Sequence, residues 1–296
     1  MNIKSIIKLT DVKTLVAGII PVILGSTYSK YAFGKINILY FVLLLIAIML
    51  IQSATNMIND YFDFKSGADD GKEGKEKALV SGEITPKEVL FIIFTYQIIA
   101  LSIGVFLAHE TSYYILLVAA FGEFISIAYA FGPYPISYTP VGEVVSGVTM
   151  GIGITTTVIF IQSGIFSLNT LLVAIPTTIF IGTILLSNNL SDIKEDKKVG
   201  RRTLPVLIGI RNTEKLWIFN VIMLFVITIM LVIIHIYPIS VLVAVILLFP
   251  YKSILKFLSY EKGSTTKGRT MGMIAQVGLK YHLGIFIGLL IAIKIS

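Results

Sequence analysis

The 296 residues are 55% hydrophobic and only 14% charged, with a mean hydropathy of +0.88, which excludes the surface of an ordinary soluble protein. The net charge of +7 lies between apolar runs and not on one basic surface, so no nucleic-acid partner is expected. Cysteine is absent, which excludes a disulfide framework, a thiolate nucleophile and a cysteine zinc site. We therefore expect the lipid bilayer to be the solvent.

About nine apolar stretches are long enough to cross a bilayer, for which roughly 20 apolar residues are needed. They cover residues 14–33, 37–58, 88–108, 112–131, 142–163, 168–189, 215–235, 238–257 and 274–293. The breaks between them leave no length for a separate soluble domain. The sequence therefore predicts an all-α, polytopic membrane helix bundle that forms one domain over residues 1–296.

Basic residues are distributed unequally between the two ends of these spans. With the amino terminus inside, 21 of the 24 Lys and Arg residues fall on the inner side, and only Lys30, Lys35 and Lys294 remain outside. Cytoplasmic loops normally carry this excess, so the amino terminus and the two longest inner loops, 59–87 and 190–214, are predicted to be cytoplasmic. We expect a multi-pass protein of the cytoplasmic membrane.

The second span ends in four polar residues that a continuing helix would place together. At 100° per residue, they fall within an arc of roughly 100° on one helix face. They are Asn56, Asn59, Asp60 and Asp63, which we call the first acidic cluster. The cluster is predicted at the boundary between membrane and cytosol.

The fourth and fifth spans contain polar and small residues that plain hydrophobic helices lack. Glu123 is a carboxylate inside the fourth span, where it is costly unless paired, and the sequence does not identify its partner. The segment 129–143 is rich in Gly and Pro, which is typical of a shaped turn. In the fifth span, Gly147, Gly151 and Gly153 suit close helix packing.

The sixth span ends in a second group of the same kind. Its members are Asn188, Asn189, Asp192 and Asp196, the second acidic cluster, of which three follow one another at intervals of four residues. Carboxylates crowded beside hydrocarbon repel each other and favour a bound cation. Mg²⁺ takes oxygen ligands and is often shared between carboxylates and substrate phosphates, so the two clusters predict a metal-bridged diphosphate site. The alternative is that these residues only cap helices and solvate the membrane boundary.

Residues 59–63 (NDYFD) and 192–196 (DIKED) resemble the two aspartate-rich motifs of the UbiA superfamily of intramembrane aromatic prenyltransferases, and the resemblance covers essentially the whole chain. Residues 59–67, 79–84 and 188–204 are most similar to its branch of 1,4-dihydroxy-2-naphthoate polyprenyltransferases. The resemblance implies a bundle of nine helices with inward-facing aspartate motifs.

The resemblance also implies roles for individual side chains. The implied catalytic residues, which hold Mg²⁺ and the diphosphate, are Asn59, Asp63, Asp192 and Asp196. The implied further diphosphate-binding residues are Asn56, Asp60, Lys77, Asn188, Arg201 and Arg202. Superfamily members usually carry a third Asp where this chain has Gly67, so either Asp69 or Asp70 replaces that ligand or the ligand is missing here. For the basic residues, plain cytoplasmic charge is the alternative interpretation.

Tyr129, Tyr138 and Glu143 are the candidates to orient an aromatic acceptor, although tyrosines also simply favour the membrane interface. The implied reaction transfers a polyprenyl group from polyprenyl diphosphate to 1,4-dihydroxy-2-naphthoate, giving demethylmenaquinol, diphosphate and carbon dioxide. One alternative is a superfamily relative with another acceptor, such as 4-hydroxybenzoate, haem or a glycerol phosphate lipid. The other is a cation or metabolite transporter, but transporters usually place ionisable groups near the midplane of the bilayer.

Overall fold

The computed structural model describes residues 3–66 and 78–295, and within these ranges the chain forms helices and no strands. The first five helices are α1 (Ile3–Thr10), α2 (Val16–Phe33), α3 (Ile38–Ser66), α4 (Pro86–Glu110) and α5 (Tyr114–Ala130). They are followed by α6 (Gly142–Gly147), a π-helical segment (Val148–Ile154), α7 (Thr155–Ser163), α8 (Leu168–Ser191) and α9 (Ile193–Lys198). The last helices are α10 (Leu204–Ile233), α11 (Ile239–Leu247), α12 (Tyr251–Leu258) and α13 (Lys267–Ile295).

Every predicted span falls on helical structure, which confirms the all-α membrane bundle. The described residues include six stretches that are long and apolar enough to cross a bilayer. They are Ile38–Lys65, Pro86–Glu110, Gly142–Ser163, Leu168–Ser191, Leu204–Ile233 and Ser264–Ile295. A bent pair, α11 and α12, makes a seventh if it is one span. The predicted spans on α2 and α5 are shorter or less apolar, so the number nine stays a prediction.

Large apolar side chains cover the exposed helix faces. Leu101, Leu117 and Phe121, for example, are each more than 60% exposed on α4 and α5. Exposed apolar surface of this extent requires an apolar environment. We conclude that these faces contact lipid.

One predicted span and one long helix are each interrupted at a residue that disfavours a continuous helix. The span predicted at 238–257 is divided into α11 and α12, which are bent by 47°. Pro250 stands directly before α12, where its ring removes a backbone N–H and disfavours helical geometry in the preceding residue. Near the start of α10, Gly209 has φ 78° and ψ 167°, a conformation that is open essentially to glycine alone.

The described chain divides into two compact units, and the chain passes between them after residues 19, 37 and 135, the first of which lies inside α2. The first unit comprises Met1–Ile19 and Ile38–Pro135. Its α3 packs against α1, α4 and α5, and its core includes Leu9, Met57 and Ile84. Lys8 of α1 donates a 2.6 Å hydrogen bond to Glu83, and this bond lowers the pKa of the Glu83 carboxyl.

The second unit comprises Ile20–Asn37 and Ile136–Ser296, with α8 at its centre. α8 packs against α6, the π-helical segment, α10 and α13. Polar side chains join these apolar helices, as is common where packed membrane helices approach each other. The hydrogen-bonded pairs are Trp217 with Ser187 (2.9 Å), Asn220 with Thr183 (3.0 Å) and Thr228 with Tyr281 (2.6 Å).

Two of the three glycines of the fifth span pack closely on α8, as predicted. A Cβ atom at Gly147 would lie 2.6 Å from the carbonyl oxygen of Thr178, and one at Gly151 would lie 2.4 Å from the Thr178 Cα. The prediction is wrong for Gly153, whose Cβ would meet only the carbonyl oxygen of Val148, at 3.7 Å. The close approach therefore depends on the first two positions.

We expect the Gly151→Ala substitution to lower the free energy of unfolding by about 1–3 kcal/mol, because the added methyl group must push two backbones apart. Gly153→Ala is the matched control, since the same methyl group has room there, and it should be close to neutral. Thermal unfolding of both variants in detergent measures the difference. Equal melting temperatures would show that α8 does not rest on Gly151.

Candidate functional site

The second acidic cluster lies at the junction of α8 and α9. α8 ends at Ser191, and Asp192 (φ −101°, ψ 12°) separates the two helices. The Asp192 N–H is shared between the carbonyl oxygens of Asn188 and Asn189, both at 3.2 Å, and closes the last turn of α8. The predicted stripe through Asp192 to Asp196 is therefore interrupted, because the spacing argument assumes one unbroken helix.

Asp192 forms an ion pair with Lys267, which the sequence analysis counted only among the basic residues of the predicted cytoplasmic side. Nζ of Lys267, the first residue of α13, donates a hydrogen bond to Oδ2 of Asp192. The Lys267 and Asp192 side chains are 32% and 23% exposed, so a ligand can reach the pair. The two residues are 75 positions apart, and no local pattern predicts their contact.

Asp196 lies in a more buried environment than Asp192, with 4% of its surface exposed. It accepts a 3.2 Å hydrogen bond from the Thr203 hydroxyl, and Nη1 of Arg201 lies 3.6 Å from its Oδ1. The guanidinium carbon of Arg201 lies 4.6 Å from the ring centroid of Tyr138, and the Arg202 N–H donates to the Tyr138 carbonyl oxygen at 2.8 Å. The structure thus brings Tyr138 together with the second acidic cluster.

Glu143 is joined to the same cluster through Asn189. The Asn189 amide donates a 2.9 Å hydrogen bond to Oε1 of Glu143, which is 5% exposed. The other carboxylate oxygen, Oε2, is buried and has no hydrogen-bond partner in the described part of the chain. Such an oxygen is costly to leave unpaired and is suited to accept a hydrogen bond from a ligand. Asn189 had no predicted role, and only its place beside Asn188 gave a signal.

The first acidic cluster lies on the last turns of α3, which continues without a break to Ser66. The Asn56 amide nitrogen donates to the carbonyl oxygen of Thr10 and to the hydroxyl of Thr14, both at 2.7 Å. Asn56 therefore holds the segment after α1 against α3. The other members are half-buried: Asn59, Asp60 and Asp63.

An aromatic contact connects this cluster with the end of α5. Phe62 stacks on Phe131, with ring centroids 4.8 Å apart and an angle of 30° between the planes. Tyr129 lies on the last turn of α5, just before Phe131. The first unit therefore places one predicted acceptor residue near the first acidic cluster.

The remaining residues singled out in the sequence analysis lie in different places in the structure. Glu123 has a partner, because Nε2 of Gln97 donates a 2.8 Å hydrogen bond to its Oε1. Asn188 is half-buried at the end of α8, and the Arg202 side chain is exposed. Four residues lie outside the described ranges: Gly67, Asp69, Asp70 and Lys77.

The profile of the UbiA prenyltransferase family matches residues 18–273, which include both acidic clusters. The chain belongs to the UbiA prenyltransferase family. The resemblance seen in residues 59–63 and 192–196 is therefore confirmed over most of the chain.

Over 203 residues this UbiA-family chain is 38% identical to a 1,4-dihydroxy-2-naphthoate octaprenyltransferase from Bacillus subtilis (strain 168). The match covers 68% of this chain and 65% of that relative. The chain thus spans less than two thirds of the length of the curated relatives that it matches.

Solved structures share the UbiA fold with this chain. A UbiA homolog from Archaeoglobus fulgidus bound to GPP and Mg²⁺ has a TM-score of 0.68 at 16% identity, covering 94% of this chain and 99% of that one. A digeranylgeranylglyceryl phosphate synthase has a TM-score of 0.67 at 20% identity, covering 99% of both chains. At these identities the likeness establishes the fold.

The donor atoms of this UbiA-family chain suit a hard divalent cation. Asp192 and Asp196 each approach a positive group, Lys267 and Arg201 respectively. Carboxylate and amide oxygens are the ligands that Mg²⁺ prefers. In the part of the chain that the structure describes, no three His, Asp or Glu side chains converge on one point. Two of the four predicted ligands belong to each unit.

Proposed function

We propose that this chain transfers a polyprenyl group from polyprenyl diphosphate to 1,4-dihydroxy-2-naphthoate in an Mg²⁺-dependent reaction. The products are demethylmenaquinol, diphosphate and carbon dioxide. Family membership and the 38% identity to the Bacillus subtilis enzyme support the reaction class and the acceptor. The observation that carries the proposal is the association of the second acidic cluster with Tyr138 and Glu143 inside one unit.

On the donor side, the proposed Mg²⁺ ligands are Asn59, Asp63, Asp192 and Asp196. When bound, Mg²⁺ supplies positive charge that stabilises the diphosphate leaving group. Arg201 beside Asp196 supplies a fixed positive charge to the same group. The further proposed diphosphate contacts are Asn56, Asp60, Lys77, Asn188 and Arg202. The Asn56 nitrogen is already engaged, so Asn56 would contribute its carbonyl oxygen.

On the acceptor side, Tyr129, Tyr138 and Glu143 orient the naphthalene ring. Oε2 of Glu143 accepts a hydrogen bond from an acceptor hydroxyl, which satisfies a buried oxygen. An electron-rich ring carbon then forms a bond with the first carbon of the prenyl chain while the bond from that carbon to the diphosphate oxygen breaks. The carboxylate of the ring leaves as carbon dioxide.

The membrane placement is part of the same proposal. Residues 1–296 form one prenyltransferase domain in the cytoplasmic membrane, with the amino terminus and the active-site loops in the cytoplasm. The concentration of 21 basic residues on one predicted side supports this orientation. The exposed apolar helix faces support a lipid environment for the long prenyl chain.

The direct test supplies purified protein in nanodiscs with Mg²⁺, a polyprenyl diphosphate and 1,4-dihydroxy-2-naphthoate. We expect a prenylated, decarboxylated naphthoquinol by mass spectrometry. If products form only with 4-hydroxybenzoate, haem or a glycerol phosphate lipid, the proposed acceptor is wrong and the proposed reaction class stands. Metal-dependent flux across proteoliposomes without any prenyl transfer would overturn the proposal in favour of a transporter.

A further inference from the structure

We infer that Lys267 is a diphosphate-binding residue, held beside Asp192 by a loop that is anchored on a buried lysine. The inference rests on the proposed prenyl transfer, because it takes Asp192 as a ligand of the metal-bound diphosphate. It adds a cation from α13 to the second acidic cluster, whose residues lie on α8, on α9 and between them.

The contact between Lys267 and Asp192 places an ammonium group where the substrate's negative charge would lie. A lysine side chain is a flexible stem that carries a compact point charge, and this suits it to follow a phosphate over a short distance. The diphosphate oxygens are strong acceptors for charge-assisted hydrogen bonds. If Asp192 held a metal ion, the ammonium of Lys267 would be free to donate hydrogen bonds to the diphosphate oxygens instead of to the Asp192 carboxylate.

The ion pair between Lys267 and Asp192 contributes little to the stability of the fold. Both side chains are partly exposed, and exposed ion pairs contribute only about 0–1 kcal/mol. The same ammonium group facing a diphosphate of several negative charges interacts much more strongly. The Lys267 ammonium group therefore has more effect in the substrate complex than in the free protein.

The loop before α13 is anchored by Lys262, whose side chain is 0% exposed. Its ammonium lies 2.9 Å from Oε1 of Glu214 and donates a 2.6 Å hydrogen bond to the carbonyl oxygen of Tyr260. The aromatic rings of Phe257 and Tyr260 lie 4.4 and 4.3 Å from the same nitrogen. Carboxylate, carbonyl and ring faces together compensate the buried charge, and this fixes the loop on α10.

The anchor is connected to the end of α8, which carries Asp192. Phe257 stacks on Trp217 with ring centroids 3.9 Å apart and an angle of 8° between the planes. The Trp217 indole N–H donates a 2.9 Å hydrogen bond to the hydroxyl of Ser187 on α8. The position of Lys267 relative to Asp192 is therefore set by packing on both sides of the loop.

The test compares Lys267→Met and Lys267→Gln with Lys256→Met, which removes an exposed lysine from the neighbouring helix α12. Binding of inorganic diphosphate in the presence of Mg²⁺ is measured by titration calorimetry, and the KM of the prenyl diphosphate is measured beside it. We expect both Lys267 variants to bind diphosphate about tenfold more weakly, the loss of one charge-assisted hydrogen bond. The KM of the acceptor should not change, and Lys267→Arg should recover most of the affinity.

Diphosphate affinity equal to that of the unaltered protein in both Lys267 variants would overturn the inference, as would an equal loss in Lys256→Met. Failure of the proposed function is a separate result. If the protein transfers no prenyl group but loses diphosphate affinity only in the Lys267 variants, the assignment of Lys267 stands. If it transfers prenyl groups and the variants bind normally, the assignment alone fails.

Discussion

Replacing Asp196 by Asn is expected to reduce the rate of prenyl transfer by roughly 10²–10³-fold, the usual loss when one preorganised charge-stabilising group is removed. Asn keeps the volume of the side chain and an oxygen for the Thr203 hydroxyl, but it removes a negative charge that would attract the metal ion. Turnover with a radiolabelled polyprenyl diphosphate measures the loss. Because Asp196 is 4% exposed, the variant must also be shown to fold.

The matched control is Glu261→Gln, which alters an exposed carboxylate in the loop before α13. It makes the same chemical change at a residue with no proposed role in the site, so its turnover should stay within about twofold of the unaltered protein. Melting temperatures of both variants in detergent distinguish a loss of folding from the loss of a metal ligand. Asp196→Asn with more than a third of the normal rate would remove Asp196 from the proposed metal site.

Removal of divalent cations with EDTA is expected to abolish turnover, and added Mg²⁺ should restore it. Charge stabilisation by a bound metal contributes several kcal/mol to the transition state, which corresponds to more than a hundredfold in rate. The titration of Mg²⁺ back into the chelated protein gives the half-saturating concentration. Full turnover in EDTA would exclude the metal-dependent mechanism.

The fold itself supplies the control for the chelation experiment. Trp217 is the only tryptophan of the chain, is fully buried and stacks on Phe257. In the described part of the chain, its ring stacks on Phe257 and its N–H donates to Ser187, and neither is a proposed metal ligand, so its fluorescence should not change in EDTA. An emission shift on chelation would mean that the metal also holds the second unit together.

The sequence predicted the parts of the site that depend on one helix at a time. The polar residues at the end of α3 follow the helical period because α3 is unbroken. At Asp192 the same argument fails, since α8 ends there and a spacing of four residues does not reveal the end of a helix.

Contacts between distant parts of the chain were not predictable in the same way. Asn189 and Glu143 are 46 positions apart, and Lys267 lies 75 positions from Asp192. Periodicity shows which face of a helix is polar but not which neighbour it meets. Lys267 was therefore visible only as one basic residue among the 21 on its predicted side.

The hydrogen bonds between α8 and α10 bear on the order in which the chain is made. The hydroxyls of Thr183 and Ser187 on α8 also bond to carbonyl oxygens of their own helix, so these two donors have acceptors when α8 enters lipid. The groups that need a partner, Trp217 and Asn220, are on α10, which the ribosome synthesises later. When α10 inserts, the acceptors of both groups are already in the bilayer. Synthesis from the amino end therefore avoids a stage in which Trp217 and Asn220 lack hydrogen-bond partners in lipid.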